Sequence, residues 1–168
     1  MNSQSSTRIG LLAGWGRYPL VVARALRDQG HQVCCLAVKD HADPALAELC
    51  HDFRTIGLGK LGTAIRYFRR HGVSRATMAG KIHKVVLFQK FAWLKHIPDW
   101  QCVCTFYPHW VSKTKDRKDD TLLGAIVDAF AKHGIRFSPA TEFMPELLIE
   151  AGNLTDRRPS TGQWKDIE

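Results

Sequence analysis

The chain has 168 residues, with 24 Lys or Arg against 16 Asp or Glu, for a formal charge of +8. Its 45% hydrophobic and 24% charged content is that of a globular domain and excludes a disordered or collagen-like chain. No apolar run reaches the ~20 residues of a membrane span, and Met1 to Thr7 is polar without an apolar h-region, so no secretory signal is expected. The expectation is one ordinary domain in the cytoplasm, with a polar tail.

The first half alternates strands and helices. Ile9 to Ala13 is an apolar run that enters the turn Gly14-Trp15-Gly16, and Val21, Val22, Ala25 and Leu26 then follow helical spacing up to Gly30. Gln32 to Val38 reads as a second strand, with Asp43-Pro44 as the start of a helix carrying Leu46 and Leu49. Phe53 to Leu58 makes a third strand. Leu61, Ile65 and Phe68 then form an apolar helix stripe opposite Arg66, Arg69 and Arg70, closed by Gly72. Arg75 to Ala79 is a fourth strand, running into Gly80. Strands that are apolar on both faces, alternating with helices, predict an α/β fold: a Rossmann-like parallel sheet flanked by helices. Right-handed crossovers place the Gly14–Gly16 turn and Gly80 at one carboxyl edge, where such folds bind ligands.

Ile82 to His109 is an aromatic-rich insertion containing Phe88, Phe91, Trp93, Trp100, Phe106 and Tyr107, with a helix predicted over Val85–Leu94 and Pro98 interrupting. Lys118-Asp119-Asp120 opens a further helix whose core face is expected to hold Leu122, Leu123, Ile126, Val127 and Phe130. Ile135 to Phe137 is a short fifth strand, and Ser138 or Thr141 is the expected cap of a last turn at Glu142–Ile149. The domain is bounded at 8–154, with a polar linker or tail at 155–168.

Candidate chemistry lies at the predicted carboxyl edge. Gly14-x-Gly16 followed by Pro19 is a dinucleotide-type turn with proline at the third glycine position, which disfavours a nucleotide-dependent oxidoreductase. What survives is anion binding by backbone N–H groups at a helix start. Lys81, after Gly80, is placed to meet a phosphate as a point charge. Asp119 and Asp120 either complement a helix dipole or serve a ligand, as Mg²⁺ partners or acceptors of sugar hydroxyls. His31, His71 and His133 stand beside glycines at helix ends and read as caps. The five cysteines form no disulfide framework, and Cys34 and Cys35 should face opposite sides of a strand. A zinc site at Cys102, Cys104 and His109 lacks a second ligand pair. The spread basic charge suits anionic partners, but without an RNA-binding signature or finger spacing no nucleic acid is expected.

Ile9–Pro19, Ala42-Asp-Pro44, Gly57-Leu-Gly-Lys-Leu-Gly62, Met78-Ala-Gly-Lys81, Lys118-Asp-Asp-Thr-Leu-Leu123 and Glu142-Phe-Met-Pro-Glu-Leu-Leu148 occur in that order. Together they resemble the amino-terminal domain of LpxI-type UDP-2,3-diacylglucosamine pyrophosphatases, over about Ile9 to Leu154. The resemblance implies a two-domain, Mg²⁺-dependent hydrolase of lipid A synthesis. Such an enzyme gives UMP and 2,3-diacylglucosamine 1-phosphate, and its catalytic aspartate belongs to a carboxyl-terminal domain beyond Glu168. The expected ligand is therefore a UDP-diacylglucosamine-type glycolipid, with peripheral contact to the inner membrane and a separate carboxyl-terminal domain or a homo-oligomer as partner. Substrate-binding candidates are Gly14, Trp15, Gly16, Gly80, Lys81, Asp119, Asp120 and Glu142, with no catalytic residue in this chain. The alternative is a non-catalytic module that binds nucleotide sugars or phospholipid precursors.

Overall fold

Six of the seven residues of Gln32–Val38 are buried, because the strand is covered on both faces. It is the second of five parallel strands: β1 (Arg8–Ala13), β2 (Gln32–Val38), β3 (Asp52–Ile56), β4 (Arg75–Ala79) and β5 (Arg136–Phe137). The computed structural model describes residues 7–82, 97–111, 119–145, 148, 160 and 162–163, without the side chains of 108–111 and 119–122. The predicted Val85–Leu94 helix and most of the 155–168 tail lie outside the described residues.

The strand order is β3-β2-β1-β4-β5. The chain winds outward from β1 to β3 and then crosses back to lay β4 on the other side of β1. That reversal makes the carboxyl ends of β1 and β4 the topological switch point, the place where open α/β sheets bind ligands. The predicted Rossmann-like parallel sheet is what forms.

Helices cover both faces. Against one lie α1 (Tyr18–Asp28), α2 (Leu46–Leu49) and the 3-10 turn Ala140–Glu142, burying Ile9, Leu11, Val22, Leu26, Leu46 and Met144. Against the other lie α3 (Leu61–Arg70), α4 (Trp100–Val111) and α5 (Asp119–Ala131), around Leu36, Ile65, Phe68, Phe130 and Ile135. Cys35 belongs to the first core and Cys34 to the second, as strand alternation demands. All five cysteines are free thiols. Burial, with Asp52 next, pushes the Cys34 thiol up to about 11, and burial beside Asp99 does the same for Cys102.

Some local expectations shift. Asp43 Oδ1 accepts the Ala45 N–H at 2.9 Å, but the helix it introduces is a single turn. After β5 the chain forms the 3-10 turn Ala140–Glu142, with Pro139 at its N-cap and no side-chain cap, while residues 146, 147 and 149 of the predicted Glu142–Ile149 turn lie outside the described residues. Leu123 is 48% exposed although helical spacing placed it in the core. Since β5 has two residues, the sheet gives α5 little to pack on before Ala129 and Phe130. His71 Nδ1 lies 2.8 Å from Tyr67 O and His133 Nδ1 2.9 Å from Ala129 O, so both serve helix-end carbonyls as read. His31 contributes its backbone N–H, to Leu26 O.

Phe68 joins sheet and helices. It is fully buried, its ring centroid is 5.8 Å from that of Phe130, and a Cβ on Gly10 of β1 would come within 3.0 Å of its ring. Phe68→Ala should cost about 3–5 kcal/mol in denaturant unfolding. A loss below about 1 kcal/mol would show that this face of the sheet repacks freely.

Candidate functional site

At the switch point the loops after β1 and β4 are tied to each other. Gly14 N–H donates to Ala79 O (2.8 Å), Trp15 N–H to Lys81 O (2.7 Å) and Lys81 N–H to Trp15 O (2.9 Å). Trp15 and Lys81 thus form an antiparallel bridge, and directly opposed residues of such a pair project to the same side. A cation and an exposed indole therefore emerge together at this edge; Trp15 is 52% exposed.

The bridge explains two of the three glycines in physical terms. A Cβ on Gly14 would lie 2.6 Å from Lys81 O, and one on Gly80 would lie 2.8 Å from both Gly14 C and Trp15 O. Gly80 also adopts φ +92°. Pro19 uses the space that Gly80 leaves, since its Cγ would stand 2.9 Å from that same Cβ. Proline at the third glycine position is thus accommodated from the opposite loop. Gly16 differs: its φ is +109° and no atom lies within 4 Å of its would-be Cβ.

These bonds also limit what a ligand can use. The Gly14 and Trp15 amides are committed to the bridge. In the first turn of α1, Pro19 has no N–H, while Leu20 and Val21 donate to Arg17 O. Among the described residues the amides of Gly16, Arg17 and Tyr18 donate to no backbone carbonyl, so they are the amides of this turn that a ligand could use. Around them the surface is apolar: Tyr18, Val21 and Ile82 are 41–44% exposed. The loop amides that would cradle a pyrophosphate in a dinucleotide fold are thus partly spent on the bridge.

Of the eight candidates, Gly14, Trp15, Gly16, Gly80 and Lys81 come together. Asp119 and Asp120 open α5, which runs 13 residues down to the amino end of β5, so its first turn lies toward the carboxyl edge on the opposite face from α1. Glu142 does not join them. Its carboxylate is 3.6 Å from Arg75, the first residue of β4, at the amino edge of the sheet. The chain after β5 folds back over the α1 face: Gln29 Nε2 donates to Phe143 O (2.7 Å), and the Arg75 guanidinium sits 4.8 Å from the Phe143 ring centroid.

Sequence reading missed Asp99. Its Oδ1 accepts N–H bonds from Gly62 (3.1 Å) and Cys102 (3.0 Å), and its Oδ2 accepts one from Thr63 (2.9 Å). One carboxylate therefore caps the first turns of both α3 and α4, satisfying amides that helices leave orphaned. Asp99 N–H in turn donates to Gly59 O (2.8 Å), pinning the loop after β3. A Cβ on Gly62 would lie 2.9 Å from Gln101 Cβ, so the last glycine of Gly57–Gly62 admits α4 rather than a ligand. Pro98-Asp99 before Trp100 is a helix-start signal, but nothing local announces the second helix it caps.

Burial raises the Asp99 pKa, but the bonds from Gly62, Cys102 and Thr63 outweigh it and hold the carboxyl below its ordinary range. A depressed carboxyl stabilises the fold above its unfolded pKa, near 4, and loses that contribution as pH falls through the folded value. Thermal melts should show a steeper loss of stability below about pH 4 in the wild type than in Asp99→Asn. At pH 7, Asp99→Ala should cost about 2–3 kcal/mol, more than the ~1 kcal/mol of a single cap. Equal acid sensitivity in wild type and Asp99→Asn would remove Asp99 from this role.

The fold and its switch-point edge define the class: a Rossmann-like α/β domain with its candidate site between β1 and β4. Residues 8–147 match the LpxI N-terminal domain family, and the chain belongs to that family. The UDP-2,3-diacylglucosamine pyrophosphatase LpxI of Caulobacter vibrioides is 26% identical over 161 residues, covering 96% of this chain and 54% of that protein. The chain thus spans about half the length of that relative. Solved structures similar to it include the complex of leucoanthocyanidin reductase with NADPH from Vitis vinifera (14% identity, 78% of this chain and 48% of that one, TM-score 0.39). Another is gox2253 (15% identity, 76% and 32%, TM-score 0.38). Both likenesses are too remote to bear on the site.

Two glycine substitutions separate the bridge from the turn. Gly80→Ala meets backbone atoms and a strained φ, and should cost more than about 2 kcal/mol. Gly16→Ala has open space and carries the φ penalty alone, about 1–2 kcal/mol. Thermal denaturation should rank them in that order; the reverse ranking would mean that the two loops are not tied.

Proposed function

We propose that this chain is the substrate-binding half of an LpxI-type pyrophosphatase, acting in the cytoplasm on UDP-2,3-diacylglucosamine. The reaction expected of such a protein is hydrolysis to UMP and 2,3-diacylglucosamine 1-phosphate, in lipid A synthesis. The supporting observation is the Trp15–Lys81 bridge, which presents a cation and an exposed aromatic side by side at the switch point. A phosphorylated glycolipid needs that pairing. Lys81 and the Gly16, Arg17 and Tyr18 amides would meet the phosphoryl oxygens, while Trp15, Tyr18 and Ile82 would contact the acyl portion. No helix among the described residues is long and apolar enough to cross a membrane, so the lipid would be taken up at an exposed surface.

In this reading the protein's contribution is binding and charge neutralisation. A lysine placed before reaction on the phosphoryl oxygens stabilises charge that develops as the P–O bond breaks. Gly14 and Gly80 shape the site through the bridge. Asp119 and Asp120 are proposed to reach sugar hydroxyls from the start of α5, and Glu142 is withdrawn from the site because it pairs with Arg75. Mg²⁺, implied by the family resemblance, would have the Asp119 and Asp120 carboxylates as its candidate partners, and these side chains lie outside the described residues.

Lys81→Gln should weaken calorimetric binding of 2,3-diacylglucosamine 1-phosphate by roughly ten- to a hundredfold without moving the melting temperature. Unchanged affinity in the folded variant would take the phosphate away from this edge. The 168-residue chain should bind the UDP-glycolipid without Mg²⁺-dependent release of UMP. Robust release, abolished by Asp120→Ala, would place the active site inside this chain.

A further inference from the structure

The outer side of α3 carries a stripe of arginines that the switch-point site does not use. Arg66, Arg69 and Arg70 are exposed at i, i+3 and i+4, and Arg54 of the edge strand β3 is exposed as well. Arg54, Thr63, Arg66, Tyr67, Arg70 and His71 line one cleft of about 240 Å³. A more open hollow of about 290 Å³ is lined by Arg66, Arg69 and Arg70. Among the described residues, none of the four guanidinium groups has a carboxylate within 4.0 Å; Asp52, next to Phe53 on the same strand, pairs with His71 at 3.6 Å.

Helix stability does not account for this arrangement. Like charges at i and i+4 oppose helix formation. The dipole favours Arg69 and Arg70 in the last turn, but it gives no reason for Arg66 in the middle of α3 or for Arg54 on a different element. Three guanidinium groups around one cleft form a forked donor set for phosphoryl oxygens.

A second feature adjoins the stripe. Trp100 is 80% exposed and opens α4. The next residue, Gln101, lies against Gly62, whose would-be Cβ is 2.9 Å from Gln101 Cβ and 3.4 Å from an Arg66 guanidinium nitrogen. An exposed tryptophan thus stands next to the Arg66 end of the stripe. The Arg66 guanidinium reaches back to the first turn of α3, while Arg69 and Arg70 lie in its last turn. An indole beside cationic side chains is the pairing that seats proteins at a lipid–water interface.

We propose that the outer face of α3, with Arg54 and Trp100, docks on the phosphoryl groups of an anionic phospholipid bilayer. The choice of a bilayer over other polyanions rests on the glycolipid reading above, because a diacylated substrate resides in a membrane, and on Trp100. Each arginine near such a surface contributes about a fivefold gain in partition, attenuated by salt.

The test is cosedimentation of the 168-residue chain with vesicles of phosphatidylcholine alone, and of phosphatidylcholine and phosphatidylglycerol in equal parts. Binding is expected to the anionic vesicles only, to fall at high salt, and to weaken roughly a hundredfold in the triple variant Arg54→Gln/Arg66→Gln/Arg70→Gln. Circular dichroism melts confirm that the triple variant folds, and Trp100→Ala should weaken partition with the charge intact. Binding of soluble 2,3-diacylglucosamine 1-phosphate analogues should survive the triple variant and fall in Lys81→Gln, so the two proposals fail separately. The proposal is overturned by absence of vesicle binding in the wild type, or by equal binding in the triple variant. Full displacement by millimolar inorganic phosphate would reduce the cleft to a single-anion pocket and overturn docking. Binding to nucleic acid tighter than to the vesicles, and lost in the same variant, would give the face a different partner.

Discussion

Three backbone hydrogen bonds, from Gly14 to Ala79, Trp15 to Lys81 and Lys81 to Trp15, hold the carboxyl ends of β1 and β4 together. Much else at this edge follows from them. Two loops that approach so closely leave no room for a Cβ at Gly14 or Gly80. The space at Gly80 is what lets Pro19 start α1 close against the sheet. The same bonds remove two amides from any ligand and set Trp15 and Lys81 opposite each other, so the edge suits a ligand with an anionic and an apolar part.

Asp99 is the second constraint. It lies outside the regular elements yet holds the first turns of α3 and α4 with one carboxylate. The first turn of α4 is thereby fastened to that of α3 at the carboxyl edge. The arrangement costs a glycine at position 62 and requires an ionised carboxyl, which the amide donors secure. The cap also holds together the first turn of α4, which Trp100 opens, and the first turn of α3, which the Arg66 guanidinium approaches.

Much of the scaffold was legible in the sequence because it rests on local rules. Gln32–Val38 and Arg75–Ala79 are read correctly to the residue, since apolar runs ended by turn residues give a short buried strand little alternative. The sequence also placed Gly14, Trp15, Gly16, Gly80 and Lys81 at one edge, where the structure brings them together. It misassigned the reason for two of them: Gly14 and Gly80 are small for the sake of a neighbouring backbone, which no spacing rule distinguishes from the approach of a phosphate. Glu142 was misplaced because the direction of the chain after a two-residue strand is set by tertiary contacts, here with Gln29 and Arg75. Asp99 was invisible as a double cap because its second helix begins nearly forty residues earlier.

The account stands on the claim that the β1–β4 edge is the ligand edge. Mapping backbone amide chemical shifts during titration with a soluble, short-chain 2,3-diacylglucosamine 1-phosphate tests it directly. The account predicts perturbations centred on Gly16, Arg17, Tyr18, Lys81 and Ile82, with the Gly14 and Trp15 amides shielded by their bonds to β4 and its loop. Perturbations centred instead on Arg75, Glu142 and Phe143, at the opposite edge of the sheet, would contradict it.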